Sequence, residues 1–232
     1  MSSIAIITAR GGSKRIPKKN IKEFCGKPII AYSIEAALKS GVFEEVMVST
    51  DSQEIVDIAK MYGANVPFMR SEKTSDDYAT TADVIREVLD MYENQGKVFD
   101  YIVCIYPTAP FITDEKLRTA VQILQKENVD SVVPVVKYDF PPQRAFLIQD
   151  NQLVYQYPDY AKKRSQDLEP IYHDCGQFYA CNVQSFRKYS SVVMPKSMPI
   201  IIPDEEVQDI DTFSDWNLAE IKYKTFIEKN EG

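Results

Sequence analysis

The chain has 232 residues, 44% of them hydrophobic and 26% charged, with a formal net charge of −7. That length supports one domain, or one domain carrying an insertion, with a proper core, while the acidic balance argues against nucleic acid as the main partner. No apolar run approaches membrane-spanning length and the first apolar stretch stops at Thr8, so a cytoplasmic protein with no membrane partner is expected.

The first element in chain order is a short apolar run, Ile4-Ala5-Ile6-Ile7-Thr8, which reads as a buried strand. A basic loop follows. Between Arg10 and Lys27 stand seven Lys or Arg and a single acid, Glu23. Arg10, Lys14, Arg15 and Lys19 are interleaved with Gly11, Gly12, Ser13, Pro17 and Asn20, residues that permit or fix particular backbone turns. A cation-dense loop at the carboxyl end of a strand suits phosphates, and several phosphates would use that many charges, so a nucleoside triphosphate is the first candidate. The competing reading is a solvated basic patch. The spacing matches neither the Walker phosphate loop nor the dinucleotide glycine fingerprint.

Further elements alternate between helix-like and strand-like segments, the pattern of a three-layer α/β fold. Pro28 to Ser40 has helical apolar spacing and ends at Gly41; Glu45 to Ser49 reads as a strand; Asp51 or Ser52 caps a helix that stops at Gly63. A helix over about 81–94 precedes a strand from Tyr101 to Tyr106, and a helix over about 114–127 leads to a β-branched strand over 131–136. From 137 to 172 prolines, aromatics and an Asp150-Asn151 turn replace the alternation, which predicts a β-hairpin excursion whose apolar face needs something to pack on. Gly176 to Val183 reads as a return to the sheet, and a closing helix over about 213–228 starts with Thr212 and Asp215 at capping-box spacing. The four cysteines, Cys25, Cys104, Cys175 and Cys181, show no close-pair metal spacing.

Asp209 and Asp211 form the second chemical signal. In an extended segment residues two apart share a side. Two hard carboxylates on one side suit Mg²⁺, with water and substrate phosphate completing its shell; the alternative is that Asp211 helps to cap the helix that follows. Arg70 reads either as a ligand or as a surface ion pair with Glu72. Thr80 and Thr81 read either as ligands or as helix caps.

The basic loop, Arg70-Ser71-Glu72, Thr80-Thr81, Pro107-Thr108-Ala109-Pro110, Gly176-Gln177-Phe178-Tyr179 and Asp209-Ile210-Asp211-Thr212 together resemble, in the same order, the CMP-sialic acid synthetase family of cytidylyltransferases, over nearly the whole chain. Among its branches, the chain is most similar to those that activate pseudaminic acid. The resemblance implies a three-layer, Rossmann-like nucleotide-diphospho-sugar transferase fold, mainly parallel, with 137–172 as an inserted arm that dimerises the chain and reaches the partner's active site.

The reaction it implies is attack by the anomeric hydroxyl of an acidic nine-carbon sugar on the α-phosphate of CTP. Arg10, Gly11, Gly12, Ser13, Lys14, Arg15, Lys19 and Asn20 would embrace the triphosphate, Arg70, Thr80 and Thr81 the cytosine or ribose, and Asp209 and Asp211 a Mg²⁺ or Mn²⁺ ion. Lys19, Arg10 and Asp211 would carry the chemistry. Arg164 would meet the sugar carboxylate. Tyr106 stands where the family commonly has glutamine, and Cys175-Gly176-Gln177 where it has Asn-Gly-Ala; these departures, with Phe178 and Tyr179 as possible aromatic walls, fall where the sugar is expected. Neuraminic, legionaminic and deoxy-octulosonic acids are the alternative substrates, a metal-dependent glycosyltransferase and a non-catalytic nucleotide binder the alternative functions. No general base stands out, and His173 is the only histidine.

Overall fold

A computed structural model describes residues 1–231, with side chains described to residue 227. The elements in chain order are β1 (Ser3–Thr8), β2 (Glu23–Phe24), β3 (Lys27–Pro28), α1 (Ile29–Ser40), β4 (Glu45–Ser49), α2 (Gln53–Met61), α3 (Glu72–Ser75), α4 (Thr81–Asn94) and β5 (Tyr101–Ile105). They continue with α5 (Asp114–Lys126), β6 (Ser131–Lys137), β7 (Phe146–Gln149), β8 (Gln152–Tyr155), β9 (Tyr172–Asp174), β10 (Phe178–Asn182), α6 (Val183–Tyr189), β11 (Ser197–Ile201) and α7 (Phe213–Glu231).

The central sheet runs β11-β6-β10-β5-β1-β4, with β9 also paired to β6. β4, β1 and β5 are parallel, as are β6 and β11, whereas β10 and β9 run antiparallel to their neighbours. Helices cover both faces, which is why β1 runs unbroken apolar from Ile4 to Ile7. Ala5 and Ile7 pack into the core beneath α1, α2 and α5. Ile4 and Ile6 pack into the opposite core with α4 and α6. A third cluster joins Ile16 of the basic loop to Phe24, Ile210 and Trp216, so α7 clamps that loop from below.

Local chemistry explains most boundaries. Gly41 ends α1 at φ 66°, a conformation that favours glycine. Thr80 and Asp83 make a reciprocal capping box at the start of α4. Thr212 and Asp215 cap α7 in the same way. Asp150 and Asn151, both at positive φ, turn β7 into β8.

Several expectations need correction. Ser52 precedes α2 without a side-chain cap, because Asp51 instead accepts the Gly11 N–H. The strand expected through Tyr106 stops at Ile105, and the one expected from Gly176 starts at Phe178. Val207 to Asp211 forms no strand; it is an irregular segment between a 3-10 turn at Asp204–Glu206 and α7. The β2–β3 hairpin, α6 and β11 were not expected. β11 carries Pro199, which a strand at the edge of a sheet tolerates.

One interruption positions the site. Val135 of β6 pairs with Asp174 and Val132 with Ala180, so two residues of β6 face five of the returning chain. Pro134 sits in that gap and has no N–H for a ladder bond. Before β10 resumes pairing with β5 at Phe178, the surplus residues Cys175 to Gln177 bulge over the carboxyl end of β5, with Gly176 at φ 62°.

Candidate active site

The basic loop leaves β1 held at three points. Gly11 donates its N–H to Asp51 at 2.7 Å, and a Cβ at this position would lie 3.0 Å from that of Ser52, so only glycine fits without a shift. Ser13 N–H returns to Gly11 O at 3.0 Å. Asn20 is buried and donates to Arg10 O at 2.8 Å, tying the two ends of the loop together.

The loop borders a cavity of about 660 Å³ at the carboxyl ends of β1 and β5, where open α/β sheets bind ligands. Arg10, Ser13, Lys14, Arg15, Lys19, Asn20, Arg70, Thr80, Thr81 and Tyr106 all line it. Gly11 and Gly12 are not among its lining residues; Gly11 instead shapes the loop behind it.

The cations are paired. Arg10 donates to Asp76 O and the Asp77 carboxylate, both at 2.9 Å, and Lys14 also bonds Asp77. Arg15 meets Asp211 at 2.7 Å; Lys19 donates to Ile210 O at 2.6 Å and lies 3.5 Å from Asp211. The hydrogen bonds from Lys14 and then Arg10 hold the Asp77 carboxyl below the usual range.

At the opposite end of the cavity Arg70 is buried. Its guanidinium bonds Ser49 O at 2.6 Å and Ser49 Oγ at 3.0 Å. Burial lowers its pKa, against the raising effect of Asp51. The surface pair with Glu72 does not form; Arg70 is a rigid cavity wall. Thr80 is engaged in the α4 cap, while the Thr81 hydroxyl meets that of Tyr106 at 3.0 Å.

Tyr106 and Thr108 are shared with a second cavity of about 510 Å³, lined also by His173, Asp174, Cys175, Gly176, Asp204, Gln208, Asp209 and Lys222. Tyr179 lies beneath Tyr106, ring edge to face at 5.7 Å, and its hydroxyl bonds Asp174. Burial raises the pKa of both phenols. His173 stacks on Tyr138 at 4.5 Å.

The remaining expected residues fall elsewhere. Gln177 is buried, donating to Glu206 O at 2.6 Å, and supports the floor without lining a cavity. Phe178 is fully buried in the core and cannot be an aromatic wall. Arg164 lies exposed on the excursion, in a two-point pair with Asp167. Asp209 and Asp211 diverge: Asp209 lines the second cavity, whereas Asp211 turns to Arg15 and Lys19. Sequence reasoning missed Asp76, Asp77, Asp174 and Lys222. The Asp76-Asp77 pair was visible as the acidic complement to the basic loop, but nothing in the sequence placed it opposite.

A doubly covered α/β sheet with a cation-lined cavity at its parallel strand ends, opening on a second cavity, defines a nucleotide-binding protein with room for a second substrate. A family model described as Cytidylyltransferase matches residues 4–222, and the chain belongs to that family. It is 40% identical over 225 residues, 97% of each chain, to a pseudaminic acid cytidylyltransferase of Campylobacter jejuni. It is also 38% identical over 230 residues, 95% of each chain, to a CMP-N,N'-diacetyllegionaminic acid synthase of Legionella pneumophila. Among solved structures, a CMP:2-keto-3-deoxy-manno-octonic acid synthetase complexed with CTP shares the fold, with a TM-score of 0.70 and 18% identity over 98% of this chain and 100% of the other.

Proposed function

We propose that the protein transfers CMP from CTP to the anomeric hydroxyl of pseudaminic acid, releasing pyrophosphate. The observation that carries this reading is the pair of cavities meeting at Tyr106 and Thr108, one lined by the four loop cations and the other clear of them. The near full-length similarity to the Campylobacter enzyme supports the sugar.

In this reading Arg10, Lys14, Arg15 and Lys19 exchange their carboxylate partners for the phosphates of CTP, and Arg70 with Thr81 meets the nucleoside. The sugar hydroxyl attacks the α-phosphorus as the bond to the β-phosphate breaks. Positioning and charge neutralisation supply most of the rate, as in phosphoryl transfer generally.

Asp209 and Asp211 are the residues that would hold Mg²⁺ or Mn²⁺. Among the described residues no three or more His, Cys, Asp or Glu cluster to cage a metal, and the two carboxylates face different ways, so holding one ion between them would require Asp211 to leave Arg15 and Lys19, with phosphate and water completing the shell. When bound, the ion would offset phosphate charge and acidify the attacking hydroxyl.

The second cavity supports a homodimer. Its acids Asp174, Asp204 and Asp209 outnumber its one lysine, Lys222, which is already engaged by Asp204 O, Val207 O and the Asp204 carboxylate. A sugar carboxylate therefore needs a cation from outside, and Arg164 on a second copy's arm has that chemistry. The arm exposes Phe140, Phe146, Ile148 and Leu153, an apolar surface that a lone hairpin cannot bury.

Four free thiols suit a reducing cytoplasm; among the described residues no helix is long and apolar enough to cross a membrane. Mass spectrometry of products from CTP with a panel of nonulosonic acids tests the reading, and a legionaminic product would redirect it.

A further inference from the structure

The segment 71–79 is the wall of the first cavity that meets the basic loop. Thr74, Asp76, Asp77 and Ala79 line the cavity, while Tyr78 among them is 90% exposed. One end of the wall is fixed beside Arg70, whose N–H donates to Thr50 O at 2.8 Å. The far end is held across the cavity by Arg10, which donates to Asp76 O and Asp77, and by Lys14, which bonds Asp77.

Between these ends stands Glu87, in the second turn of α4. Its Oε1 accepts the Ser71 N–H at 2.8 Å, and its Oε2 accepts the Ser71 hydroxyl at 2.6 Å and the Thr74 hydroxyl. An ionised carboxylate only accepts, so all three protons come from the wall. Burial works against the charge, but the hydrogen bonds from Ser71 and Thr74 prevail and hold the Glu87 carboxyl below its usual range. Ser71 stands at the N-cap of α3, where a serine hydroxyl ordinarily caps the helix, yet it makes no such bond. Local preference has yielded to Glu87. Glu87 itself lines neither cavity.

The two holds on the wall respond differently to ligand. Phosphates draw Arg10 and Lys14 away from Asp77, which releases the far end. The Glu87 clamp uses no phosphate-binding cation and survives. We infer that Glu87 is a positioning residue that keeps segment 71–79 in place along the nucleoside once Arg10 and Lys14 have gone to the phosphates. The inference rests on the reading of that cavity as the CTP site. A chain of phosphates without a nucleoside needs the basic loop and gains nothing from the wall.

The test is calorimetric titration of CTP, and separately of inorganic tripolyphosphate, into wild type, Glu87→Gln, Ser71→Ala and the double variant. Glutamine keeps the length of glutamate but sets an NH₂ group against donors that a carboxylate oxygen accepted. Glu87→Gln is expected to weaken CTP about three- to tenfold, the cost of ordering one or two side chains on binding. Ser71→Ala should weaken CTP about two- to threefold, and the double variant by less than the product of the two, since both cut one clamp. Tripolyphosphate should bind every variant within about twofold of wild type. In turnover the KM for CTP should rise while kcat at saturating CTP stays within about twofold, the pattern of a contact made equally in ground and transition states.

CTP affinity unchanged in Glu87→Gln, multiplying losses in the double variant, equal weakening of tripolyphosphate, or a fall in kcat alone would overturn the inference. If Glu87→Gln fails to fold, Ser71→Ala and its tripolyphosphate control decide alone. Wild-type protein that binds tripolyphosphate but not CTP would overturn the nucleotide reading itself, and that arm tells the two failures apart.

Discussion

Asp77 and Asp211 divide four cations of the basic loop between them, Asp77 taking Arg10 and Lys14 and Asp211 taking Arg15 and Lys19. Two acids thus hold four cations in place before any phosphate arrives. The arrangement preorganises the loop at little cost, because exposed ion pairs are individually weak and exchange readily. A triphosphate, with more charge and more acceptors than either carboxylate, is well suited to displace both.

Lys19 is the cation most tightly built in, with a side chain only 20% exposed. Lys19→Ala removes a charge-assisted phosphate contact worth about 1.5–3 kcal/mol, so turnover should fall roughly ten- to a hundredfold if the contact tightens in the transition state. The lost bond to Ile210 O should cost about 1 kcal/mol of stability. Steady-state kinetics beside a melting curve separates the two effects; near-normal turnover in the folded variant removes Lys19 from the chemistry.

Asp211→Asn preserves size and removes charge. It should largely abolish metal-dependent turnover while leaving the fold intact, since the α7 cap is made by Thr212 and Asp215. Assays with and without chelator check this. Full wild-type activity in excess chelator would eliminate the metal, and an active variant would eliminate Asp211 as its ligand.

The adjacent threonines should behave differently. Thr80→Ala removes the α4 cap and is expected to cost about 1 kcal/mol, a melting shift of roughly 2–4 °C. Thr81→Val keeps the cap and should leave the melting point nearly unchanged while weakening CTP. Thermal unfolding and CTP titration on both variants check the split; a swap of the two phenotypes would contradict it.

The exposed arm predicts a homodimer. Sedimentation at micromolar concentration should show twice the mass of the chain, and Ile148→Asp, on an exposed hairpin strand, should shift it toward monomer with loss of activity. A fully active wild-type monomer would refute sites completed between two copies.

Much of this was legible in the residues, for physical reasons. β1 reads as a strand because burial on both faces demands an unbroken apolar run, and the basic loop stands out against an acidic chain. α4 begins where its capping threonine says it should. Long-range placement was not legible. Nothing local says that Asp77 meets Arg10, or that Asp51 serves Gly11 in place of capping α2. The Asp209-x-Asp211 spacing implied a shared side only if the segment were a strand; burial of Ile210 against Ile16 and Trp216 fixes an irregular path instead. Phe178 reads as an aromatic wall of the sugar site beside Tyr179, yet strand alternation sends neighbours to opposite faces, and its face is the core. β11 was hidden by Pro199, a residue that speaks against a strand until the strand is known to lie at an edge.

The central claim is the transfer of CMP to pseudaminic acid, and the most direct test is competition. Purified protein with CTP and Mg²⁺ is given equal pseudaminic acid and N-acetylneuraminic acid, and both CMP-sugars and pyrophosphate are quantified by mass spectrometry. The account predicts CMP-pseudaminic acid with equimolar pyrophosphate, favoured in kcat/KM by up to roughly a hundredfold, the limit for apolar walls that reject added hydroxyls. N-acetylneuraminic acid consumed at least as efficiently would contradict it.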